Sequence, residues 1–216
     1  MLAEDSYVGR FRRPHPVVPN SVLGSAEAIP PPGDDRVVYL GRLTVARGAL
    51  DMIELGRRLP AQVKLELIGN ADGDCRDALE AAHKSGEVVW RGFVPTTEAL
   101  PALRGALAGL SLLHDQPNYA HSRPTKIMEY MANGIPVVTT PNPSSVDLVE
   151  RHDCGLVVPF GDPAAAAETI TRLRDDVELR HRLAAHGREA AVSHHMWDRD
   201  SAAFVTLLEG WAGPPA

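Results

Sequence analysis

Two arginines five residues apart, Arg42 and Arg47, sit in the loop Gly41-Arg42-Leu43-Thr44-Val45-Ala46-Arg47-Gly48, directly after the apolar run Val37-Val38-Tyr39-Leu40. Guanidinium groups around a helix start oppose the helix dipole. A bound diphosphate, which accepts paired hydrogen bonds from arginine, would reverse that cost; two solvated arginines are the alternative. A second concentration of chemistry spans residues 121 to 141, His-Ser-Arg-Pro-Thr-Lys-Ile-Met-Glu-Tyr-Met-Ala-Asn-Gly-Ile-Pro-Val-Val-Thr-Thr-Pro. A helix N-terminus presents unpaired N–H groups and roughly half a positive charge, so it attracts anions, phosphate above all. Lys126 in such a first turn is unfavourable by itself and favourable beside an anion. The competing arrangement is a solvated Lys126 paired with Glu129 at i, i+3.

Two further loops can touch a ligand. Ile68-Gly69-Asn70-Ala71-Asp72-Gly73-Asp74 reads either as a ligand-touching turn or as an ordinary turn after a strand. In Trp90-Arg91-Gly92-Phe93-Val94-Pro95, Gly92 lets the backbone approach a flat ring on which Phe93 or Val94 would pack; strand-end packing is the equal competitor. Glycines at 41 and 48 do not make G-x-G-x-x-G, and no G-x-x-x-x-G-K-S/T occurs, so NAD-type and P-loop readings lose their main support. His194 and His195 are adjacent and His181 and His186 are five apart, which is not the i, i+4 spacing of a helical metal site; these read as surface residues. His121 differs because it lies in the loop feeding the 121–141 helix.

These residues need elements to hold them. Pro124 suits the first turn of a helix and Gly134 the left-handed position past its end, which brackets a helix over 125–133. Ile127, Tyr130 and Met131 then face a core, while Lys126, Glu129 and Asn133 share a polar stripe. Short apolar strands are predicted at 37–40, 63–68, 88–90, 110–113, 136–140 and 155–158. Helices at 48–59, 74–84, 97–108, 125–133 and 144–151 separate them. Such alternation predicts a doubly wound, Rossmann-like α/β fold with a parallel sheet of about six strands and right-handed crossovers. Its ligands bind outside the carboxyl ends of the strands, where the strand order reverses, so the loops after Leu40, Ile68, Trp90 and Leu113 are the places for a site. Asp162-Pro163 opens a further helix to about Leu173, and another runs from Asp176 to about Ser193. In a last segment, 196–211, Ala203, Phe204, Leu207, Leu208 and Trp211 recur at helical spacing, and this helix is expected to pack back on the body. Residues 1–35, with Arg10, Arg12, Arg13 and many prolines, have linker composition, and 17–20 forms one short strand or an extended strap.

Composition narrows the function classes. A chain of 216 residues with 44% apolar content can bury one substantial core. Its net charge of −6 lacks the general electrostatic footprint of a nucleic-acid binder, and no DNA or RNA partner is expected. Cys75 and Cys154 fit no ligand spacing and suit a reducing compartment as small buried hydrophobes. No apolar run is long enough for a membrane span and no secretory signal opens the chain, so a cytoplasmic location is expected.

Taken together and in order, several stretches carry a resemblance: Gly41-Arg42-Leu43 with Arg47-Gly48, Leu67-Ile68-Gly69, Gly92-Phe93-Val94, the run from Pro124 to Val138, and Cys154-Gly155-Leu156-Val157-Val158-Pro159 with Gly161-Asp162-Pro163. Over roughly residues 36 to 210 the chain resembles glycosyltransferase family 4, the group 1 glycosyltransferases, and looks like the carboxyl-terminal, nucleotide-sugar-binding half of a GT-B enzyme. On that resemblance residues 1–35 are an interdomain linker and the end of an absent amino-terminal domain. Val17-Val18-Pro19-Asn20-Ser21-Val22 then matches the linker, 36–192 the donor-binding domain and 193–216 a carboxyl-terminal helix.

The resemblance implies roles. Arg42 and Arg47 would hold the donor diphosphate and stabilise the leaving group without a metal or other cofactor. Glu129, the second glutamate of the family's E-x7-E signature, would bind the ribose hydroxyls. The first glutamate falls at His121, whose imidazole cannot copy a carboxylate's two acceptors. Arg123, Pro124 and Thr125 would supply backbone to the distal phosphate beside Lys126, Phe93, Val94 and Pro95 would meet the base, and Gly41 and Gly69 would line the donor site. Ser144-Ser145 and Asp147 stand where the family often has a glycine pair and a glutamate. The implied activity is that of a retaining, metal-independent glycosyltransferase using an NDP-sugar, with the acceptor held mainly by the absent half and peripheral membrane association open to the whole protein. A UDP-sugar epimerase of the same architecture and a non-catalytic nucleotide-binding module are the alternatives.

Overall fold

The computed structural model describes residues 2, 5–23, 28–120 and 125–212. Six strands form one sheet: β1 (Asp34–Leu40), β2 (Lys64–Ile68), β3 (Val89–Trp90), β4 (Ala106–Ser111), β5 (Val137–Thr139) and β6 (Gly155–Val157). Every pairing is parallel and the order is β3-β2-β1-β4-β5-β6. The expected doubly wound sheet is therefore present, and its strand order reverses between β1 and β4. The intervening helices are α1 (Ala49–Arg58), α2 (Arg76–Ser85), α3 (Thr96–Leu103), α4 (Thr125–Ala132) and α5 (Pro143–Arg151), followed by α6 (Pro163–Asp175), α7 (Val177–His194) and α8 (Trp197–Ala212). One core, built with α1, α2 and α6, covers one sheet face, and a second, built with α3, α4, α5 and α7, covers the other.

The reversal point is held by a tyrosine. The Tyr130 hydroxyl accepts from Leu40 N at 2.9 Å and donates to the Leu110 carbonyl at 3.1 Å, so one α4 side chain ties β1 to β4. Its ring lies on Gly109, where an added Cβ would sit 2.5 Å from the ring. Only glycine leaves that space, and the helical spacing of Ile127, Tyr130 and Met131, all fully buried, brings the tyrosine there.

One pair of boundaries differs from the sequence expectation. The helix predicted to run to 108 stops at Leu103, and the strand predicted at 110–113 occupies Ala106–Ser111 instead. Pro101 lies in the last turn, Arg104 is extended and Gly105 has φ 84°, so the helix ends there. The alanines that follow have high helix propensity, but all six β4 residues are buried between two helical layers, and packing overrides propensity. The last helix also differs. α8 contains no buried residue, and Val205, Leu208 and Trp211 are exposed. Its start is tied to the body, where Val22 N donates to the His195 carbonyl (2.8 Å), Trp197 N donates to the Val22 carbonyl (3.0 Å) and Met196 is buried; further along, Phe204 and Leu207 are only half-buried. His195, read as a surface residue, is buried and stacks edge-on against His152. Upstream, buried Arg180 donates to the carbonyls of Pro32, Leu173 and Arg174, pinning the proline-rich segment 30–32, which precedes β1, onto the α6–α7 junction. Both cysteines are free and buried.

Candidate functional site

A cleft of about 620 Å³ opens beyond the carboxyl ends of β1, β2 and β3 and against the first turns of α4. Gly41, Arg42, Arg47, Gly69, Phe93, Val94, Thr125, Lys126 and Glu129 all line it, so residues far apart in sequence share one cleft. Pro95 does not line it; the cleft wall passes from Val94 to Thr96, and the Pro95 carbonyl instead accepts from Glu98 N and Ala99 N at the start of α3. His121, Arg123 and Pro124 lie outside the described residues.

The floor depends on two glycines. Gly41 (φ 136°) and Gly69 (φ 145°) end neighbouring strands in conformations that favour glycine. A Cβ on Gly69 would lie 1.9 Å from the Gly41 carbonyl oxygen, which means the two turns touch with no room for a side chain. Gly69 N donates to the Gly92 carbonyl at 2.7 Å, and Trp90 Nε1 donates to the Gly69 carbonyl at 2.9 Å. The ends of β1, β2 and β3 thus form one rigid ledge. The loop bearing Arg47 is fixed separately: Thr44 Oγ1 accepts from Arg47 N at 3.1 Å, and His114, just beyond β4, donates its backbone N–H to the Ala46 carbonyl (3.0 Å) and meets Asp51 Oδ2 through Nε2 (2.7 Å).

Charge is unevenly satisfied in the cleft. Arg42 donates through Nε and Nη2 to both carboxylate oxygens of Asp72, each at 2.7 Å, and this bond holds the Asp72 carboxyl below its ordinary range. Lys126 is buried, and its Nζ has no hydrogen-bond partner; it lies 3.8 Å from the centre of the Tyr39 ring. Burial, with a smaller contribution from Arg47, pushes its pKa down to about 7, against an opposing pull from Glu129. Burial likewise pushes the Glu129 carboxyl up, more than Lys126 lowers it. No ion pair joins the two, which removes the exposed Lys126–Glu129 pair considered from sequence. A buried ammonium without a hydrogen-bond acceptor is costly, and buried charges are ordinarily paired. An anion entering the cleft would supply such a partner.

The other walls complete a coherent set of functions. Arg42, Arg47 and Lys126 give a cationic wall, Glu129 supplies acceptors on the same helix face as Lys126, and Phe93, 71% exposed, offers an apolar flat surface at the rim. Such a cleft can hold a molecule with an anionic centre, hydroxyls on one side and an aromatic ring on the other. Sequence reasoning did not foresee Asp72 as the partner of Arg42, nor Tyr39 as the platform under Lys126. The first follows from register, since the parallel pairing of β1 with β2 brings the loops after Leu40 and Ile68 side by side; the second follows from the packing of the start of α4 over the end of β1. Ser144 and Asp147 bond elsewhere, to the Ala120 carbonyl and to Arg151. Among the described residues no cluster of three or more His, Cys, Asp or Glu side chains is arranged to hold a metal ion.

Residues 25–190 match the family model described as glycosyl transferases group 1. The chain belongs to the group 1 glycosyl transferases. It is 31% identical over 185 residues to the lipopolysaccharide core biosynthesis glycosyltransferase LpsE of Rhizobium meliloti (strain 1021), across 82% of this chain and 51% of that protein. The fold is similar to that of Anabaena HepE, solved in complex with UDP and glucose, with a TM-score of 0.69 at 19% identity, covering 82% of this chain and 48% of that one. It is also similar to the C-terminal domain of the group 1 family protein LpcC from Francisella tularensis, with a TM-score of 0.64 at 17% identity, covering 77% of this chain and 88% of that one. The chain spans about half the length of LpsE. The cleft lies beside the strand-order reversal, where open α/β sheets generally bind ligands.

Proposed function

We propose that this chain is the donor-binding half of a retaining, metal-independent glycosyltransferase of family 4, which transfers a sugar from an NDP-sugar to an acceptor held mainly by a second, amino-terminal domain. The buried, partnerless Lys126 ammonium at the head of α4, facing a cleft that also holds Arg42 and Arg47, carries the reading. A diphosphate would supply the acceptors that this ammonium lacks. Its negative charge grows on the leaving oxygen as the glycosidic bond breaks, so fixed cations stabilise the departing group more than the bound donor, without any metal. Glu129 would accept the ribose hydroxyls, and Phe93 with Val94 would cover the base. HepE, solved with UDP and glucose, supports a nucleotide-sugar donor, and the likeness to the C-terminal domain of LpcC supports placing this chain as the carboxyl-terminal half. The two free, buried cysteines support a reducing, cytoplasmic setting.

The reading predicts that UDP-, GDP- or ADP-linked sugars stabilise the chain thermally, by about 2.7 kcal/mol at a ligand concentration 100-fold above the dissociation constant. The shift should persist in EDTA. No stabilisation by any of the three at millimolar concentration would refute a donor site, and loss of the shift in EDTA would refute metal independence. Slow hydrolysis of the bound donor, followed by NMR, should release sugar in the donor's own anomeric configuration; the opposite anomer would refute retention.

A further inference from the structure

Asp72 has no role in the donor reading so far, yet it makes the best-formed ion pair in the cleft. It reaches Arg42 from the neighbouring strand, and the backbone between them is unusually well fixed. The β1–β2 ladder does not stop at the strand ends. Gly41 N donates to the Ile68 carbonyl (2.9 Å), Leu43 N to the Asn70 carbonyl (2.8 Å) and Asp72 N to the Leu43 carbonyl (2.9 Å), and Leu43 pairs with Ala71 in a parallel bridge. Both bridge residues are buried, and Asp74 Oδ2 accepts from Val45 N at 3.1 Å. The 70–74 turn is therefore a brace under the loop that carries both arginines.

Geometry at the guanidinium turns this brace into a functional statement. Asp72 takes the Nε–H and one N–H of Nη2, which locks the plane of the group, and leaves Nη1 and the outer N–H of Nη2 without a claim from this carboxylate. Unbraced, a long side chain that is 65% exposed would have to be ordered when ligand arrives. We propose that Asp72 is a positioning residue: its carboxylate fixes the Arg42 guanidinium so that the remaining N–H edge meets the donor diphosphate. The proposal rests on the donor reading of the cleft. It has a counterintuitive sign, because Asp72 is itself negative and close to where the diphosphate would lie. If it acted only by repulsion, neutralising it would improve binding; if it positions Arg42, neutralising it weakens binding.

Calorimetric titrations with UDP, GDP and ADP, each beside its nucleoside, separate these outcomes in the wild type, Asp72→Asn, Arg42→Gln and the double variant. For the nucleotide that the wild type binds best, Asp72→Asn should weaken diphosphate binding about tenfold, equivalent to about 1.4 kcal/mol, and leave nucleoside binding unchanged. The ligand-free melting temperature should scarcely move, since exposed ion pairs contribute little to stability. In the Arg42→Gln background the second substitution should add nothing, because the group that Asp72 positions is gone. Equal or tighter diphosphate binding by Asp72→Asn, or the same loss with Arg42 absent, would overturn the proposal. A wild type that binds none of the three diphosphates would instead overturn the donor reading itself, before any variant is made.

Discussion

Replacing Lys126 by methionine should make the protein more stable and worse at binding its ligand. The side chain is buried and its Nζ lacks a hydrogen-bond partner, and burial pushes its pKa from the ordinary 10.5 to about 7. At about 1.4 kcal/mol per pH unit, the native state near neutrality carries a penalty of at most about 5 kcal/mol for this group. The contact over the Tyr39 ring, 3.8 Å from Nζ to the ring centre, offsets about 1–2 kcal/mol of it. Methionine has a similar unbranched shape and no charge to desolvate, so Lys126→Met should gain about 1–3 kcal/mol, within the range seen when buried ions give way to apolar residues. For a chain of this size each kcal/mol is worth roughly 2–4 °C in melting temperature, which differential scanning calorimetry resolves easily. Nucleoside diphosphate affinity should fall by about 1.5–3 kcal/mol, the worth of hydrogen bonds to a charged group. A less stable variant with unchanged affinity would show instead that Lys126 is a structural residue without a ligand role.

The same group sets a pH dependence. Its folded pKa lies below its unfolded value, so the unfolded chain binds more protons between about pH 7 and 10.5; the Lys126 contribution to stability should rise with pH across that window and be flat below it, a difference visible in denaturant titrations of wild type against Lys126→Met. A bound diphosphate restores the ammonium, so binding above pH 7 should take up a proton, measured as a buffer-dependent enthalpy in calorimetry. Glu129→Gln should leave the fold intact and cost about 1.5–3 kcal/mol of nucleotide affinity, while a 2′,3′-dideoxyribose analogue should bind weakly to wild type and lose little more on mutation. Gly69→Ala, which puts a Cβ 1.9 Å from the Gly41 carbonyl oxygen, should cost about 3 kcal/mol or more in urea unfolding by forcing the two turns apart.

The sheet and the location of the cleft were legible in the sequence because both rest on periodicity. Short apolar runs separated by helical spacing specify a parallel sheet, and a parallel sheet specifies where its ligands bind. Arg42, Arg47 and Lys126 stood out because each opposes a helix dipole, whereas Glu129 was singled out only through the family resemblance. The β4 boundary was less readable: Ala106, Leu107 and Ala108 prefer a helix in isolation and become strand only because Tyr130 and the flanking helices leave a narrow, fully buried slot. Asp72 was not readable as the Arg42 partner because its function depends on register between two strands, a long-range property that no local pattern records. The outward face of α8 looked like core for a related reason: spacing shows that Leu208 and Trp211 share a face, but not whether anything covers it.

Hydrogen–deuterium exchange of the chain with and without a saturating nucleoside diphosphate reports where the ligand sits without assuming any residue's role. Protection is expected in the loop 41–48, the turn 69–74, residues 93–96 and the first turn of α4, with little change in α6, α7 or the segment 28–33. Protection confined to other surfaces, with those four segments unchanged in the presence of bound nucleotide, would contradict the assignment of this cleft as the donor site.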